Sequence, residues 1–427
     1  MNEKLKIIAV SLAVSSTIGL TACGGGGGGS DSTDSSTGTS GNTITSGVVT
    51  GFGSIFVDGV EFETDSSSFS LDDGDDGPED EDGLAVGMVV TVTGTVNADG
   101  VTGTAEHIEF DDELEGIVNA NNVAAEGTGT MIIMGQTVVI NTTTIFESDV
   151  ADITSTDLVV AGNVVEVSGF SSGDGTVYAT RIEVKLATHS GEEIELKGII
   201  TNLTDTTFDL GGLTVDFSSA MFDDHIPDST LSEGLYIEVK SITGFINGEL
   251  IASEVELEGD GDMDLEGDDG DEIELDGIVT IVNSDTSFEI GGHTVIITKS
   301  TAFEHGNAGD ISIGVSLEVE GELNAEGGLV ANEIELGIHD HIEMEGNLEE
   351  VNNPPGTITL LGETIYITAS TLLLDERDEG GLVPEHFFGL DDLNSGDYVE
   401  IDAYLEPDSG KLIAIKLERD DDNGIDD

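Results

Sequence analysis

Residues 277–297 read GIVTIVNSDTSFEIGGHTVII, two short apolar segments separated by a pair of glycines. Phe288 and Ile290 lead into Gly291-Gly292, and a second alternating segment leads out. A two-residue hairpin needs positive φ at its corner, a conformation that glycine adopts without steric penalty. The stretch therefore predicts a β-hairpin.

The same pattern recurs along the chain. In the copy at Gly277, a later segment alternates as Leu317-Glu318-Val319, which predicts a strand with one buried face and one acidic, solvated face. We interpret the recurrence as five tandem all-β modules. Their starting glycines are Gly47, Gly116, Gly198, Gly277 and Gly346.

The end of each copy carries a second recurring feature. An alanine stands three residues before an apolar residue in Ala105/Ile108, Ala179/Ile182, Ala252/Val255, Ala331/Ile334 and Ala414/Leu417. A spacing of three breaks strict alternation, so a bulge must separate the two residues if both point inward. Earlier in each copy a Ser/Thr-rich step ends on an apolar residue, which we interpret as a plug for one barrel end. These residues are Phe69, Phe146, Phe222, Phe303 and Leu373.

Five short strands with a longer connection between the third and fourth are typical of an OB-like barrel. The predicted fold is thus all-β, with five tandem five-stranded OB-like barrels on a flexible tether, and a β-sandwich is the alternative. The predicted boundaries are a signal peptide at 1–22, a tether at 23–46, repeats at 47–111, 112–185, 192–257, 273–337 and 342–419, an acidic linker at 258–272 and an acidic tail at 420–427.

Composition limits the classes of partner. The chain has 427 residues and a formal net charge of -78, with 89 carboxylates against 11 Lys and Arg. Nucleic acid and anionic lipid surfaces require cationic contacts, so both are poor partners, whereas cations and basic polymers fit. The single cysteine excludes intrachain disulfides.

The amino terminus predicts export. Lys4 and Lys6 precede an apolar run at 7–20 that is too short to span a bilayer but suits a secretory signal. The run ends in Leu20-Thr21-Ala22-Cys23, which resembles a bacterial lipobox. This resemblance implies cleavage before Cys23, acylation of that cysteine and, because Gly24 follows, the outer membrane with a periplasmic or cell-surface location.

Taken together, the lipobox, the repeated hairpin and the repeat endings resemble the bacterial family called domain of unknown function 5666. The resemblance covers nearly all of 47–419. It implies OB-type barrels of exported lipoproteins, and it supplies no catalytic residues because the family has no agreed activity.

Two candidate metal sites lie between repeats. The acidic linker places carboxylates at Asp260, Asp262, Asp264, Glu266 and Asp268, where a flexible loop could gather oxygen ligands around Ca²⁺. His339 and His341 stand at alternate positions, as two ligands of a zinc or copper site would. The alternative interpretations are a solvated, self-repelling linker and a polar linker strand.

No nucleophile elbow, phosphate-binding loop or HExxH motif appears, so we expect no catalytic activity. Three functional hypotheses remain. The first is a noncatalytic, lipid-anchored envelope protein for binding or adhesion, which contacts a cationic peptide, a polysaccharide or a partner protein through its barrel faces or acidic loops. The second is an acidic structural spacer with weak calcium binding, and the third is an envelope hydrolase with an unrecognised site.

Overall fold

The computed structural model describes most of the chain from residue 43 to residue 420. The exceptions within that range are residues 53, 72–79, 99, 126, 173, 224–225, 227–229, 260–269, 326, 338–340, 355, 376, 378–387 and 406–410. The described residues are almost entirely strands and turns, with short 3-10 helices at Glu81–Gly83, Thr156–Leu158 and Leu390–Asp392. None of the described helices is long and apolar enough to cross a membrane.

The first two repeats contain twelve strands. Repeat 1 comprises β1 (Thr43–Gly51), β2 (Ile55–Val57), β3 (Val60–Glu63), β4 (Ser68–Ser70), β5 (Val89–Val96) and β6 (Thr102–Phe110). Repeat 2 comprises β7 (Leu114–Asn121), β8 (Gly129–Ile133), β9 (Gln136–Ile140), β10 (Ile145–Ser148), β11 (Val164–Ser171) and β12 (Thr176–Leu186).

The remaining repeats follow the same plan, with a broken strand in two of them. Repeat 3 comprises β13 (Ile194–Thr201), β14 (Thr207–Leu210), β15 (Leu213–Asp216), β16 (Met221–Phe222), β17 (Tyr236–Ser241), β18 (Phe245–Ile246), β19 (Glu249–Ile251) and β20 (Glu254–Gly259). Repeat 4 comprises β21 (Glu272–Ser284), β22 (Ser287–Ile290), β23 (His293–Ile296), β24 (Ala302–Glu304), β25 (Ser316–Leu323) and β26 (Leu329–Leu336). Repeat 5 comprises β27 (His341–Asn347), β28 (Glu350–Asn352), β29 (Thr357–Leu360), β30 (Glu363–Tyr366), β31 (Leu372–Asp375), β32 (Tyr398–Leu405) and β33 (Leu412–Asp420).

Each repeat closes on itself. In repeat 4, β21 pairs with β22, β22 with β23, β23 in parallel with β26, β26 with β25, and β25 with β21. This circuit is a closed five-stranded OB-like barrel, so the β-sandwich alternative is wrong. Closure removes most strand edges. The predicted hairpin is confirmed, with φ of 53° at Gly291 and 89° at Gly292.

The predicted bulge is present in the last strand. In repeat 4, the ladder between β25 and β26 passes from Glu320 opposite Glu333 to Gly321 opposite Ala331, with a register shift between them. Equivalent shifts occur in repeats 1, 2 and 5, whereas in repeat 3 the strand breaks between β19 and β20. A Cβ on Gly321 would lie 2.4 Å from the carbonyl oxygen of Val330, so this close approach requires glycine.

The Ser/Thr-rich step stabilises the same bulge. A hydroxyl from this step donates a hydrogen bond of 2.7 to 2.8 Å to the carbonyl of the bulge alanine in four repeats. The pairs are Ser67 with Ala105, Thr144 with Ala179, Thr301 with Ala331, and Thr371 with Ala414. Sequence alone did not predict this role.

The predicted plug residues occupy equivalent positions in all five repeats. Each lies on a short strand parallel to the last strand, opposite the apolar residue of the alanine motif: Phe69 with Ile108, Phe146 with Ile182, Phe222 with Val255, Phe303 with Ile334, and Leu373 with Leu417. All five are partly buried and pack against their barrel cores.

Four of the five barrels are joined in pairs through their first strands. The start of β1 pairs in parallel with β21, which joins repeat 1 to repeat 4, and β7 pairs antiparallel with β13, which joins repeat 2 to repeat 3. Ile44 of β1 accordingly lies in the core cluster of repeat 4, and repeats 2 and 3 share one core cluster. Repeat 5 forms a sheet of its own.

This pairing corrects one predicted boundary. The tether was predicted to extend to residue 46, but β1 begins at Thr43, and residues 43–46 pair with residues 272–275. The mostly polar composition of TITS disguised a strand that pairs with another repeat through its backbone and contributes one apolar side chain, Ile44, to the core of that repeat. The signal peptide, Cys23 and the rest of the tether lie outside the described residues.

Candidate binding face

The outer surface of repeat 4 carries an uninterrupted array of acidic side chains on three adjacent strands. We call this array the carboxylate face. It consists of Glu272, Glu274 and Asp276 on β21, Glu318, Glu320 and Glu322 on β25, and Glu333 and Glu335 on β26. These residues alternate with buried apolar residues such as Leu317 and Val319, so the barrel core fixes which way the acidic side chains point.

Strand register places like charges directly opposite one another. Asp276 lies opposite Glu318, which in turn lies opposite Glu335 on the next strand. Glu274 lies opposite Glu320 in the row below. Like charges in directly opposite positions destabilise a sheet, so this arrangement opposes folding unless a ligand or protons reduce the charge.

Repeat 1 contributes to the edge of the face. Its β2–β3 hairpin turns at Asp58-Gly59, with φ of 50° and 71°. A Cβ built on Gly47 would lie 3.4 Å from the Cβ of Asp276 and 3.6 Å from the Cβ of Asp58, so the two carboxylates flank the same point of β1. Beside them, the Thr45 hydroxyl donates a 3.3 Å hydrogen bond to Glu274 Oε2.

Repeats 2, 3 and 5 place cations at some of the positions that are acidic in repeat 4. Lys197 stands one residue before its repeat glycine, as Asp276 does, and Lys240 stands where Glu320 does in the fourth strand. Arg181 and Lys416 occupy the position of Glu333 in the last strand. At each of three aligned positions, repeat 4 is thus acidic where one or two of repeats 2, 3 and 5 have Lys or Arg.

Cations on this surface of repeats 2 and 3 form ion pairs with the neighbouring carboxylates. Lys185 Nζ lies 2.8 Å from Glu166 Oε2 in repeat 2, and Lys240 Nζ lies 3.3 Å from Glu238 and 3.2 Å from Glu256 in repeat 3. Arg181 pairs with both Glu147 and Glu183. The same sheet surface is thus charge-compensated in repeat 2 and repeat 3.

Repeat 4 lacks such compensation. Residues 272–336 contain one basic residue of the Lys and Arg type, Lys299, and residues 43–110 of repeat 1 contain none. On the described part of the carboxylate face, the ion pair found is between Glu335 and His305, with Nδ1 of the histidine 3.0 Å from the carboxylate. The face is therefore available to a cation from outside the barrel.

Comparison with known proteins gives the repeats a family. The chain matches the family described as Domain of unknown function (DUF5666) at residues 43–109, 115–183, 197–256, 276–335 and 345–418. The chain belongs to this family. Each matched range covers one DUF5666 barrel.

No curated protein matches the chain. Among solved structures, the chain is similar to drosophila Unr CSD456, with 14% sequence identity and a TM-score of 0.13 over 52% of this chain and 95% of that chain. A TM-score at this level carries no argument about the DUF5666 fold or its function.

Burial and mutual repulsion raise the pKa values of carboxyl groups on and beside the carboxylate face of the fourth DUF5666 repeat. Burial, followed by the charges of Asp276, Glu335 and Glu320, raises the pKa of Glu318 to about 8. Burial raises the pKa of Asp276 to about 6, opposed by the Gly277 backbone N–H. Burial, followed by the charges of Glu318 and Asp276, raises the pKa of Asp58 well above its usual range.

Burial is also the largest cause of the pKa shift of Glu238 in repeat 3, where a hydrogen bond to Glu256 and the charge of Asp111 act in the same direction. Together they raise this pKa to about 8, although Lys197 and Lys240 oppose the change. The distinguishing property of repeat 4 is the sign of the neighbours. Around Glu318 the leading charged neighbours are all carboxylates, which raise its pKa, whereas around Glu238 the lysines lower it.

The structure does not describe the metal ligands that the sequence predicts. Asp260, Asp262, Asp264, Glu266 and Asp268 lie outside the described residues, as do His339 and the side chain of His341. In the part of the chain that is described, no three His, Cys, Asp or Glu side chains are arranged to hold a metal ion. The carboxylate face is thus a surface array and contains no preformed cation cage among those residues.

The sequence predicts the acidic strand faces but not their assembly into one array. The signal was present, because aligning the five repeats on their glycines shows Lys or Arg at positions where repeat 4 has Asp276, Glu320 and Glu333. Asp58 could not have been placed, because its nearness to Asp276 depends on the pairing of β1 with β21.

We expect the stability of the wild-type protein to fall as pH rises from about 4 to about 8 through the titration of Glu318. An unfolded glutamate has a pKa of about 4.3, so with a folded pKa of about 8 the folded state binds more protons across that interval. Glu318→Gln removes this dependence. The variant should be about 1 to 2 kcal/mol more stable than wild type at about pH 8, allowing for solvent screening, and nearly equal at about pH 4.

Urea denaturation at several pH values measures this difference. Glu183→Gln in repeat 2 is the matched control, because Arg181 and Lys185 outweigh burial and hold the pKa of that carboxyl below its usual value. The control should be less stable than wild type at about pH 8. Parallel pH profiles for Glu318→Gln and wild type would contradict the expected repulsion.

Proposed function

We propose that this protein is a noncatalytic, lipid-anchored cell-envelope protein whose DUF5666 barrels form a binding module for a cationic partner. The single observation that carries the proposal is the carboxylate face of repeat 4, which is acidic at three positions where one or two of repeats 2, 3 and 5 have Lys or Arg. The resemblance of Leu20-Thr21-Ala22-Cys23 to a lipobox supports the anchor.

The geometry of the face favours an extended basic peptide segment as the ligand. Residues two apart on a strand are separated by about 6.6 to 6.8 Å, and adjacent strands lie about 4.8 Å apart. An extended peptide with Lys or Arg at alternate positions has the same period as Glu318, Glu320 and Glu322 along β25. Its cations could pair with successive carboxylates, and the loss of like-charge repulsion would add to the affinity.

Binding should be electrostatic and therefore sensitive to salt. The Debye length is about 8 Å at about 0.15 M ionic strength and about 3 Å at 1 M, so surface charge pairs weaken as salt is added. A structural spacer would show no preference between this face and any other acidic surface of the molecule. That contrast separates the two hypotheses.

The test uses a synthetic peptide of alternating Lys and Thr and measures affinity by fluorescence anisotropy. The triple variant Glu274→Gln, Glu318→Gln, Glu320→Gln should bind at least about tenfold more weakly, equivalent to about 1.4 kcal/mol. A control triple variant, Asp152→Asn, Glu193→Gln, Asp205→Asn, removes the same charge from exposed positions in repeats 2 and 3. Its affinity should change less than about threefold, since exposed pairs contribute little.

Two results would overturn the proposal. If both triple variants weaken binding equally, the affinity for the peptide depends on net charge alone and not on the carboxylate face. If wild type does not bind the peptide even at low salt, the carboxylate face is not a site for basic segments.

A further inference from the structure

The first strand of every repeat begins with one edge that its own barrel leaves unpaired. In four repeats this edge pairs with another repeat. Residues 43–46 of β1 pair with residues 272–275 of β21, and residues 114–115 of β7 pair with residues 195–196 of β13. In each case the partner is the first strand of another repeat. This edge is thus the recurrent joining surface between barrels.

Repeat 5 has the same edge without a partner in the described part of the chain. Strand β27 pairs with β32 on one side and ends the strand order of its sheet. The Leu348 N–H donates to the carbonyl of Asp397 at 2.8 Å, on the β32 side. Because hydrogen-bonding direction alternates along a strand, the N–H groups of Glu343 and Glu345 point to the other side. An unpaired edge of this kind is a template for another strand.

Apolar side chains beside this edge are more exposed than their counterparts. Ile342 stands four residues before its repeat glycine, as do Ile194 and Ile273. Ile342 is 37% exposed, whereas Ile194 is 0% and Ile273 is 1% exposed. The two counterparts are covered in part by the neighbouring repeat, since Ile273 shares a core cluster with Ile44 of repeat 1. Ile342 lacks that cover among the described residues.

The pairing of repeats 2 and 3 shows how identical edges meet. Leu114 lies opposite Leu196, and Glu115 lies opposite Glu195. Both leucines stand two residues before their repeat glycines, so a local two-fold axis passes between them. In repeat 5 the residue at this position is Met344. The same register applied to two copies of β27 places Met344 opposite itself.

We propose that β27 pairs antiparallel with β27 of a second copy of this chain, with Met344 on the two-fold axis. Such a contact is isologous and closes after two subunits, so it forms a dimer and not a filament. It also places Glu343 of one copy opposite Glu345 of the other, as Glu115 lies opposite Glu195 within the chain. Since like charges oppose, the dimer should tighten as salt rises, the reverse of peptide binding to the carboxylate face.

The main test is analytical ultracentrifugation of the full chain carrying Cys23→Ser, which prevents acylation at that position. Wild-type β27 should give a monomer–dimer equilibrium. Glu345→Pro removes an edge N–H donor without removing a hydrogen bond to β32, so the dimer dissociation constant should rise at least tenfold. Glu345→Ala removes the same carboxylate, keeps the N–H and should dimerise at least as well as wild type.

A second variant keeps the proposal testable if the proline disturbs the barrel. Residues on the axis form a pair without mutual hydrogen bonds, for which Cα atoms lie about 4.5 Å apart, within disulfide range. Met344→Cys should therefore give a covalent dimer on oxidation. A chain that stays monomeric at about 100 μM and forms no Met344→Cys cross-link would overturn the proposal, as would equal dimerisation of the Pro and Ala variants.

Discussion

Arg181→Met should destabilise the protein by about 3 kcal/mol, because it removes the cation from a buried network and leaves its partners. The Arg181 side chain is 5% exposed and pairs with Glu183 at 3.0 Å and with Glu147. Its Nη1 also donates to the carbonyl of Val86 at 3.3 Å, which links repeat 2 to repeat 1. Methionine fills similar space but offers neither charge nor donor.

Chemical denaturation compares this variant with two others. In Arg377→Met the removed cation is 27% exposed, and its partner Asp375 retains Arg419, so the loss should stay below about 1 kcal/mol. Arg181→Met combined with Glu183→Gln should recover part of the stability, because the unpaired buried carboxylate is neutralised. A loss for Arg181→Met no larger than that for Arg377→Met would contradict the role assigned to the buried network.

Local features of the barrel could be predicted from sequence because they depend on a few neighbouring residues. The Gly291-Gly292 corner, the alternation in β25 and the bulge before Ile334 each follow from backbone geometry and side-chain period. The bulge prediction needed only the three-residue spacing of Ala331 and Ile334. Recurrence of these patterns then defined five barrels.

Contacts between repeats could not be predicted in the same way. Thr43 and Thr45 carry no apolar signal, yet their strand joins residues about 230 positions away through backbone hydrogen bonds, which have no side-chain code. The position of Asp58 beside Asp276 follows only from this pairing. The part of the carboxylate face that lies within repeat 4 is easier to predict from sequence. Strand register and the acidic alternation of β21, β25 and β26 define it without contacts to another repeat.

The largest stabilisation should come from a disulfide that links repeat 1 to repeat 4. A Cβ at Gly47 would lie 3.4 Å from the Cβ of Asp276, close to the separation of about 3.5 to 4.5 Å in disulfides. The double variant Gly47→Cys, Asp276→Cys in a Cys23→Ser background closes a loop of more than two hundred residues. By the chain-entropy estimate the oxidised protein should be about 3 to 5 kcal/mol more stable than the same protein after reduction.

The pairing of first strands determines both the surroundings of the carboxylate face and the open edge of repeat 5. The disulfide between positions 47 and 276 is the most direct test of this pairing. Mass spectrometry of the oxidised, proteolysed double variant should find the peptide containing residue 47 joined to the peptide containing residue 276 within one chain. The single variant Gly47→Cys should give no intrachain link. Free thiols, or cross-links only between chains, would show that repeats 1 and 4 do not meet through β1 and β21.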